Sequence, residues 1–253
     1  MVSMKKVMFY MILSSLLVVF IAFNKSLVPK KSFDPIKNTG FAIVELFTSE
    51  GCSSCPSADE ILQRLANIKD NLIVLSFHVD YWNKLGWKDP YSDAAYSQRQ
   101  LAYASTKLGD GVYTPQTIVN GTVHLVGSQE KQLTNSIKNY LDAFPSKKIN
   151  IIAKQGKDKV TVSYTAELAS DEILNVALIQ KKSSEKVTSG ENRGLQLLHV
   201  NIVRAFTSTS ENNGDLTLNF PKGLGANDCL VGAYIQQKVA IKVMGISGYT
   251  FIN

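Results

Sequence analysis

Histidine and cysteine are scarce in this chain, three of each in 253 residues. His78, His124 and His199 are scattered, and no second Cys or His pair stands at ligand spacing from Cys52-Ser53-Ser54-Cys55. A structural zinc site therefore lacks its second half. Acidic residues are missing before Asp34, while Lys5, Lys6 and Lys25 precede it. Without those three lysines the formal charge of +6 falls to +3, too weak a surplus to argue for nucleic acid. No cysteine lies near residue 25, so a lipoprotein anchor is not indicated. No feature points to a small organic cofactor. What remains is ordinary globular composition, in a chain long enough to bury a core of one or two domains.

Residues 1–25 read as a targeting segment. Lys5-Lys6 form a basic flank, and Val7 to Phe23 is apolar apart from Tyr10, Ser14 and Ser15. Seventeen residues is short for a bilayer span but long for a signal core, and no A-x-A site follows Ala22-Phe23-Asn24. A cleaved signal and an uncleaved anchor both stay open. The basic flank places Met1 in the cytoplasm and the rest outside. The expectation is an exported protein, periplasmic or otherwise extracytoplasmic, secreted or held to the membrane by this segment. Residues 26–39 follow as a polar linker.

The chain is organised around Phe41 to Ile68. An apolar run to Phe47 has the β-branched and aromatic content of a buried parallel strand. It stops at Thr48-Ser49-Glu50-Gly51, then come Cys52 and Cys55, and Pro56 opens a helix with Ile61, Leu65 and Ile68 on one face. A C-x-x-C where a strand hands over to a helix is a redox signature, because the helix N-terminus favours the thiolate. Cys52, further out on the turn, is read as the nucleophile and Cys55 as the resolving thiol. Glu45 shares a strand face with Phe41, Ile43 and Phe47. It is read either as the buried acid that takes the proton from Cys55 or as a strand-end carboxylate that reaches water or pairs with a Lys.

Leu72 to Val79 makes a second strand, ending in Ser76, His78 and Asp80 of one parity. Strand carboxyl ends are where ligands bind in open α/β sheets, so His78 and Asp80 are candidates, a structural His–Asp pair being the alternative. The loop from Tyr81 to Pro90 carries both tryptophans, Trp82 and Trp87. It is either a lid and docking surface or a loop pinned by its indoles. A helix capped by Ser92 is expected with Ala94, Leu101 and Leu108 inward. Thr117–Asn120 and Val123–Val126 flank the hairpin signal Asn120-Gly121, and Leu133, Ile137, Tyr140, Leu141 and Phe144 give a helical face. The order is β-α-β-α-β-β-α over residues 40–145.

From Ser146 the texture is strands, read as a β-rich, sandwich-like module over residues 146–253. Residues 183–211 read as one long connection. It gathers Glu191, Asn192, Arg193, His199, Asn201 and Arg204, either a functional loop or a solvated turn. Cys229 begins an alternating strand and reads as a buried, inert thiol.

This α/β order, with C-x-x-C at the first strand–helix junction and Thr114-Pro115 before the third strand, resembles the thioredoxin superfamily. The resemblance implies a cis Pro115 facing the dithiol and a Thr114 that contacts bound substrate. VELFTSEGCSSCPSAD, SFHVDYWNKLGWKDPYS with Arg99-Gln100, VYTPQTIVNG and GENRGLQLLHVNIVR are together similar to the secreted family labelled domain of unknown function 1223, from Phe41 to the C-terminus. Glu45 stands seven residues before Cys52, one more than the buried acid of thioredoxins. The reading is a thiol–disulfide oxidoreductase acting on protein thiols and disulfides with an unknown redox partner. It needs no cofactor beyond its own redox-active disulfide and no metal. The alternatives are a copper-binding module using the dithiol and His78, and a binding module in which the disulfide only staples a turn.

Overall fold

The structure, a computed structural model, describes residues 40–67, 71–106, 111–143 and 146–253. Residues 1–39, read above as a targeting segment and linker, lie outside the described residues, as do Ile68, Leu108 and Phe144. The described chain is a mixed α/β fold, mostly strand. Its elements are β1 (Ala42–Thr48), α1 (Pro56–Leu65), β2 (Leu72–His78), α2 (Ala94–Ala104), β3 (Gln116–Val119), β4 (Val123–Val126), α3 (Glu130–Ala143), β5 (Ile149–Gln155), β6 (Lys159–Ala166), β7 (Glu172–Lys186), β8 (Gln196–Thr209), β9 (Asn213–Asn219), β10 (Cys229–Gln237) and β11 (Val243–Thr250).

Eight strands form one sheet, ordered β11-β10-β7-β8-β2-β1-β3-β4. β1 and β2 are parallel over seven residue pairs, as an α-helical crossover requires. The two faces of β1 then take different partners. Ala42, Val44 and Leu46 pack with Ile61, Leu62 and Leu65 of α1 and Leu133, Ile137 and Leu141 of α3. Ile43 and Phe47 pack on the other face with Tyr96 and Tyr103 of α2. Both faces are covered, which is why the run carries no polar alternation.

Of the strands after residue 145, only β5, β6 and β9 make a sheet of their own, and the others cross the line drawn at residue 145. β7, β8, β10 and β11 continue the first sheet, joined where Ser76 of β2 meets Ile202 of β8 in parallel. The sandwich-like element is smaller than expected. The sheet β5-β6-β9 packs Val160, Val162 and Leu218 against Leu174, Val176, Val231 and Ile235 of the large sheet.

The 183–211 connection is also corrected. β7 runs to Lys186 and β8 spans Gln196–Thr209, leaving residues 187–195 as the loop between them. β8 went unread because two of its buried positions are His199 and Asn201, which break the apolar alternation. In α2 the cap is Asp93, whose carboxylate accepts from Ala95 N at 2.8 Å, and not Ser92. Its buried face is Tyr96, Ser97, Gln100 and Tyr103, while Leu101 is exposed. Hydrophobicity does not mark that face because its polar groups have buried partners, Gln100 with Gln116 and Tyr103 with Glu45.

Candidate functional site

Cys52 and Cys55 form a disulfide, their Cα atoms 5.4 Å apart. Cys55 is the N-cap of α1 and Pro56 fills its first turn, where a missing N–H is no loss. Cys52 turns back so that its carbonyl accepts from Cys55 N at 3.1 Å. Ser53 and Ser54 between them are exposed, yet Cys52 is only 1% exposed and Cys55 0%.

Three segments close over the pair. Cys52 Sγ lies 3.6 Å from the carbonyl oxygen of Thr114, which precedes Pro115 through a cis peptide bond. Trp82 Nε1 donates to Thr114 Oγ1 at 2.8 Å. The 187–195 loop arrives from the other half of the chain. Asn192 Nδ2 donates to the carbonyls of Glu50 (2.8 Å) and Cys52 (2.9 Å), and Glu191 Oε2 accepts from Ser53 N at 3.1 Å. Hydrogen bonding from Ser53, by its side chain first and then by this backbone N–H, holds the exposed Glu191 carboxyl below its usual range. Arg193 is exposed at the tip of the same loop. The aromatic loop is thus pinned at the site by both indoles, since Trp87 Nε1 donates to Glu50 Oε2 at 2.7 Å.

Beneath the turn lies a buried polar cluster. His199 Nε2 is 3.0 Å from Glu50 Oε1, and its Nδ1 is 3.5 Å from Asp59 Oδ2. Burial opposes a charge on this ring, but the carboxylates beside it, Asp59 first and then Glu50, outweigh that cost and push His199 up to about 10. His78 Nδ1 is 2.7 Å from Asp89 Oδ2, and the two histidine rings meet edge to face at 4.8 Å. Burial works to raise Asp89, yet the charge and hydrogen bond of His78 hold it below the usual carboxylate value. The raised His199 has a consequence for stability. Its folded value is above the unfolded 6.5, so its contribution is complete below about pH 6.5 and is lost as pH rises toward 10. Unfolding free energy measured in urea is expected to fall between pH 7 and pH 10, and His199→Gln is expected to flatten that slope.

Several candidates sit elsewhere. Glu45 is not on the α1 side of β1. It shares its strand face with Ile43 and Phe47, opposite α1, and its carboxylate is filled by Arg99 (2.7 and 2.8 Å), Tyr103 and Tyr234. Asp80 is not the partner of His78; it accepts from Ser97 Oγ at the start of α2. His78 faces Asp89, Tyr91 and His199. Among the described residues no three His, Cys, Asp or Glu side chains converge on a point that could hold a metal ion. Cys229 is buried and unpaired, and burial first, with Asp228 beside it, pushes its thiol up to about 11.

Sequence reasoning missed Glu50, Asp59 and Asp89 as site residues, and placed Asn192 only within a polar loop. Glu50 and Asp59 had a signal, as acids flanking the C-x-x-C by two and four positions. Asp89 had none beyond lying in the aromatic loop.

A family model described as protein of unknown function (DUF1223) matches residues 43–236. The chain belongs to this family. Its matched span holds every residue of the site just described, from Glu50 to His199. Among solved structures, the DUF1223 chain is similar to protein AGR_C_4864 from Agrobacterium tumefaciens. The identity is 26% and the TM-score 0.60, over 83% of this chain and 92% of that one. It is also similar to HBP35 of Porphyromonas gingivalis, at 15% identity and a TM-score of 0.57, over 84% of this chain and 75% of that one; this likeness concerns the fold alone. Among curated proteins none matches.

Proposed function

We propose that this DUF1223 protein is a thioredoxin-like thiol–disulfide oxidoreductase that works outside the cytoplasm. The observation that carries the reading is the Cys52–Cys55 disulfide at the N-cap of α1, with Cys52 Sγ 3.6 Å from the Thr114 carbonyl. The helix N-terminus stabilises a thiolate at that place. In the reduced protein the Cys52 thiolate attacks one sulfur of a partner protein's disulfide, and the other sulfur leaves as a thiolate. Cys55 then loses its proton and attacks Cys52, releasing the second partner thiolate and restoring the internal disulfide. Two electrons pass to the partner, and the reverse sequence oxidises a partner dithiol. A redox partner of the dithiol or disulfide class resets the pair, and no further cofactor enters. Thr114 and Pro115 with Trp82 border the groove a substrate chain would take. Trp87 and Glu191 hold the loops that shield it. Export rests on the basic-then-apolar segment of residues 1–25. Among the described residues no helix is long and apolar enough to cross a membrane.

A second reading is favoured by the burial of both sulfurs: the disulfide is a staple in a binding module. The reduction potential separates the two. It is measured on the full-length chain by equilibration against glutathione buffers with mass-tagging of free thiols. A reversible couple between about −120 and −270 mV is expected, the span of known exchange catalysts. A pair still oxidised below about −300 mV overturns the enzyme reading. Cys52→Ser is expected to abolish exchange; full activity in that variant would sink the mechanism.

A further inference from the structure

The exchange chemistry leaves a buried charge cluster unused. Glu50 stands two residues before Cys52, and Asp59 stands four after Cys55. Cys55 has helical backbone angles at the N-cap of α1, so position 59 falls on the same side of the helix one turn later. The two carboxylates therefore bracket the sulfur pair in the chain. Both are out of water: Glu50 is 0% exposed and Asp59 6%.

One side chain joins them, and it comes from β8. His199, 1% exposed, sets Nε2 3.0 Å from Glu50 and Nδ1 3.5 Å from Asp59. The Nδ1 contact is long for a hydrogen bond and is held by charge. The other groups facing the ring are His78, itself paired with Asp89, and Tyr91, whose ring carries Arg204 at 5.0 Å. On the Glu50 carboxylate the remaining donor is the neutral indole of Trp87. Negative charge near a thiol disfavours its thiolate, and a cation favours it.

We infer that His199 is a positioning residue for the dithiol: its cation offsets one of the two carboxylates that bracket Cys52 and Cys55, and so sets how readily Cys52 ionises. This rests on the exchange reading above, and it gives β8 a part in the redox site.

The test uses the full-length chain with Cys55→Ser and Cys229→Ala, which leaves Cys52 as its one thiol. The ultraviolet absorbance of the thiolate is followed against pH. In H199Q the Cys52 midpoint is expected to rise by about one unit, a tenfold smaller thiolate fraction at a fixed pH below it. Glu50→Gln alone is expected to lower the midpoint. The double variant H199Q/E50Q keeps the original charge count and is expected to return close to the starting value. A purely structural His199 would make the double variant no better than H199Q, and that result overturns the inference. So do equal shifts of one sign in H199Q and E50Q, or no shift in either. If H199Q does not fold, as seen by circular dichroism, E50Q decides alone, and an unmoved midpoint counts against the proposal. With both cysteines present, H199Q is expected to move the glutathione equilibrium about tenfold toward the disulfide, about 30 mV for a two-electron couple. A wild-type pair that resists reduction defeats the exchange reading, while the Cys52 titration reads the role of His199 separately.

Discussion

Arg99→Ala is expected to destabilise the fold by about 3–5 kcal/mol, the cost of leaving one partner of a buried ion pair alone. Arg99 grips Glu45 with two hydrogen bonds, through Nε at 2.7 Å and Nη2 at 2.8 Å. The side chains are 13% and 1% exposed. Nη2 also donates to the hydroxyls of Tyr103 (2.8 Å) and Tyr234 (2.7 Å), and the guanidinium stacks on Phe206 at 4.9 Å and Tyr103 at 5.1 Å. Tyr103 and Tyr234 in turn donate to Glu45 Oε1, each at 3.0 Å. Removing the arginine strips the carboxylate of its charge partner in a site closed by aromatic rings. Arg99→Lys keeps the charge but loses the fork and the stacking, so an intermediate loss is expected. The double variant E45M/R99M is expected to recover much of the deficit, because it leaves no buried charge uncompensated. Urea unfolding measures all three. A loss below about 1 kcal/mol for Arg99→Ala would mean the pair is no more than a surface ion pair. Glu45→Gln separates this structural role from the redox one. It should weaken folding and leave the Cys52 titration where it was.

The second large effect is expected at Gly121. Asn120 and Gly121 form the turn between β3 and β4, with φ of 48° and 71°, the left-handed pair that a tight hairpin requires. An alanine there meets two penalties. The left-handed backbone costs roughly 1–2 kcal/mol for a residue with a side chain. The new methyl would also run into the carbonyl oxygen of Ile241, in the connection between β10 and β11. That contact is backbone and has no rotamer to escape into. Val243 N donates to Asn120 O at 3.0 Å, so the connection cannot retreat without losing a hydrogen bond. With overpacking adding about 1–3 kcal/mol, Gly121→Ala is expected to lose about 2–5 kcal/mol in total. Gly223 supplies the control. It has φ of 84° and nothing within 4 Å of where an alanine methyl would stand, so Gly223→Ala should show the backbone term alone. Equal losses at the two positions would show that the Ile241 contact carries no weight.

Both effects bear on how much of this protein is legible in its sequence. Asn120-Gly121 reads as a hairpin from the dipeptide alone, because few other pairs accept that backbone. That the same glycine must also clear Ile241 is invisible, since the two positions meet only through tertiary packing. Glu45 stands out as the one acid inside an apolar run, but the run leaves open whether it is buried or reaches water; it is buried. Its partner is not legible, because Arg99 lies 54 residues away on a helix whose inward face is polar.

The site divides in the same manner. The strand, the turn, the C-x-x-C and the helix opened by Pro56 are local, and short-range sterics and period-based burial determine them from Phe41 to Leu65. The element order through α3 and the presence of many strands after it are legible too, since hydrophobic period distinguishes helix from strand. That those later strands extend the first sheet and return a loop and a histidine to the dithiol turn depends on long-range packing. Asn192 and His199 reach Cys52 and Glu50 across some 140 to 149 residues of chain. Their burial is tolerated because their polar groups find partners at that distance in sequence, a condition that hydropathy does not record.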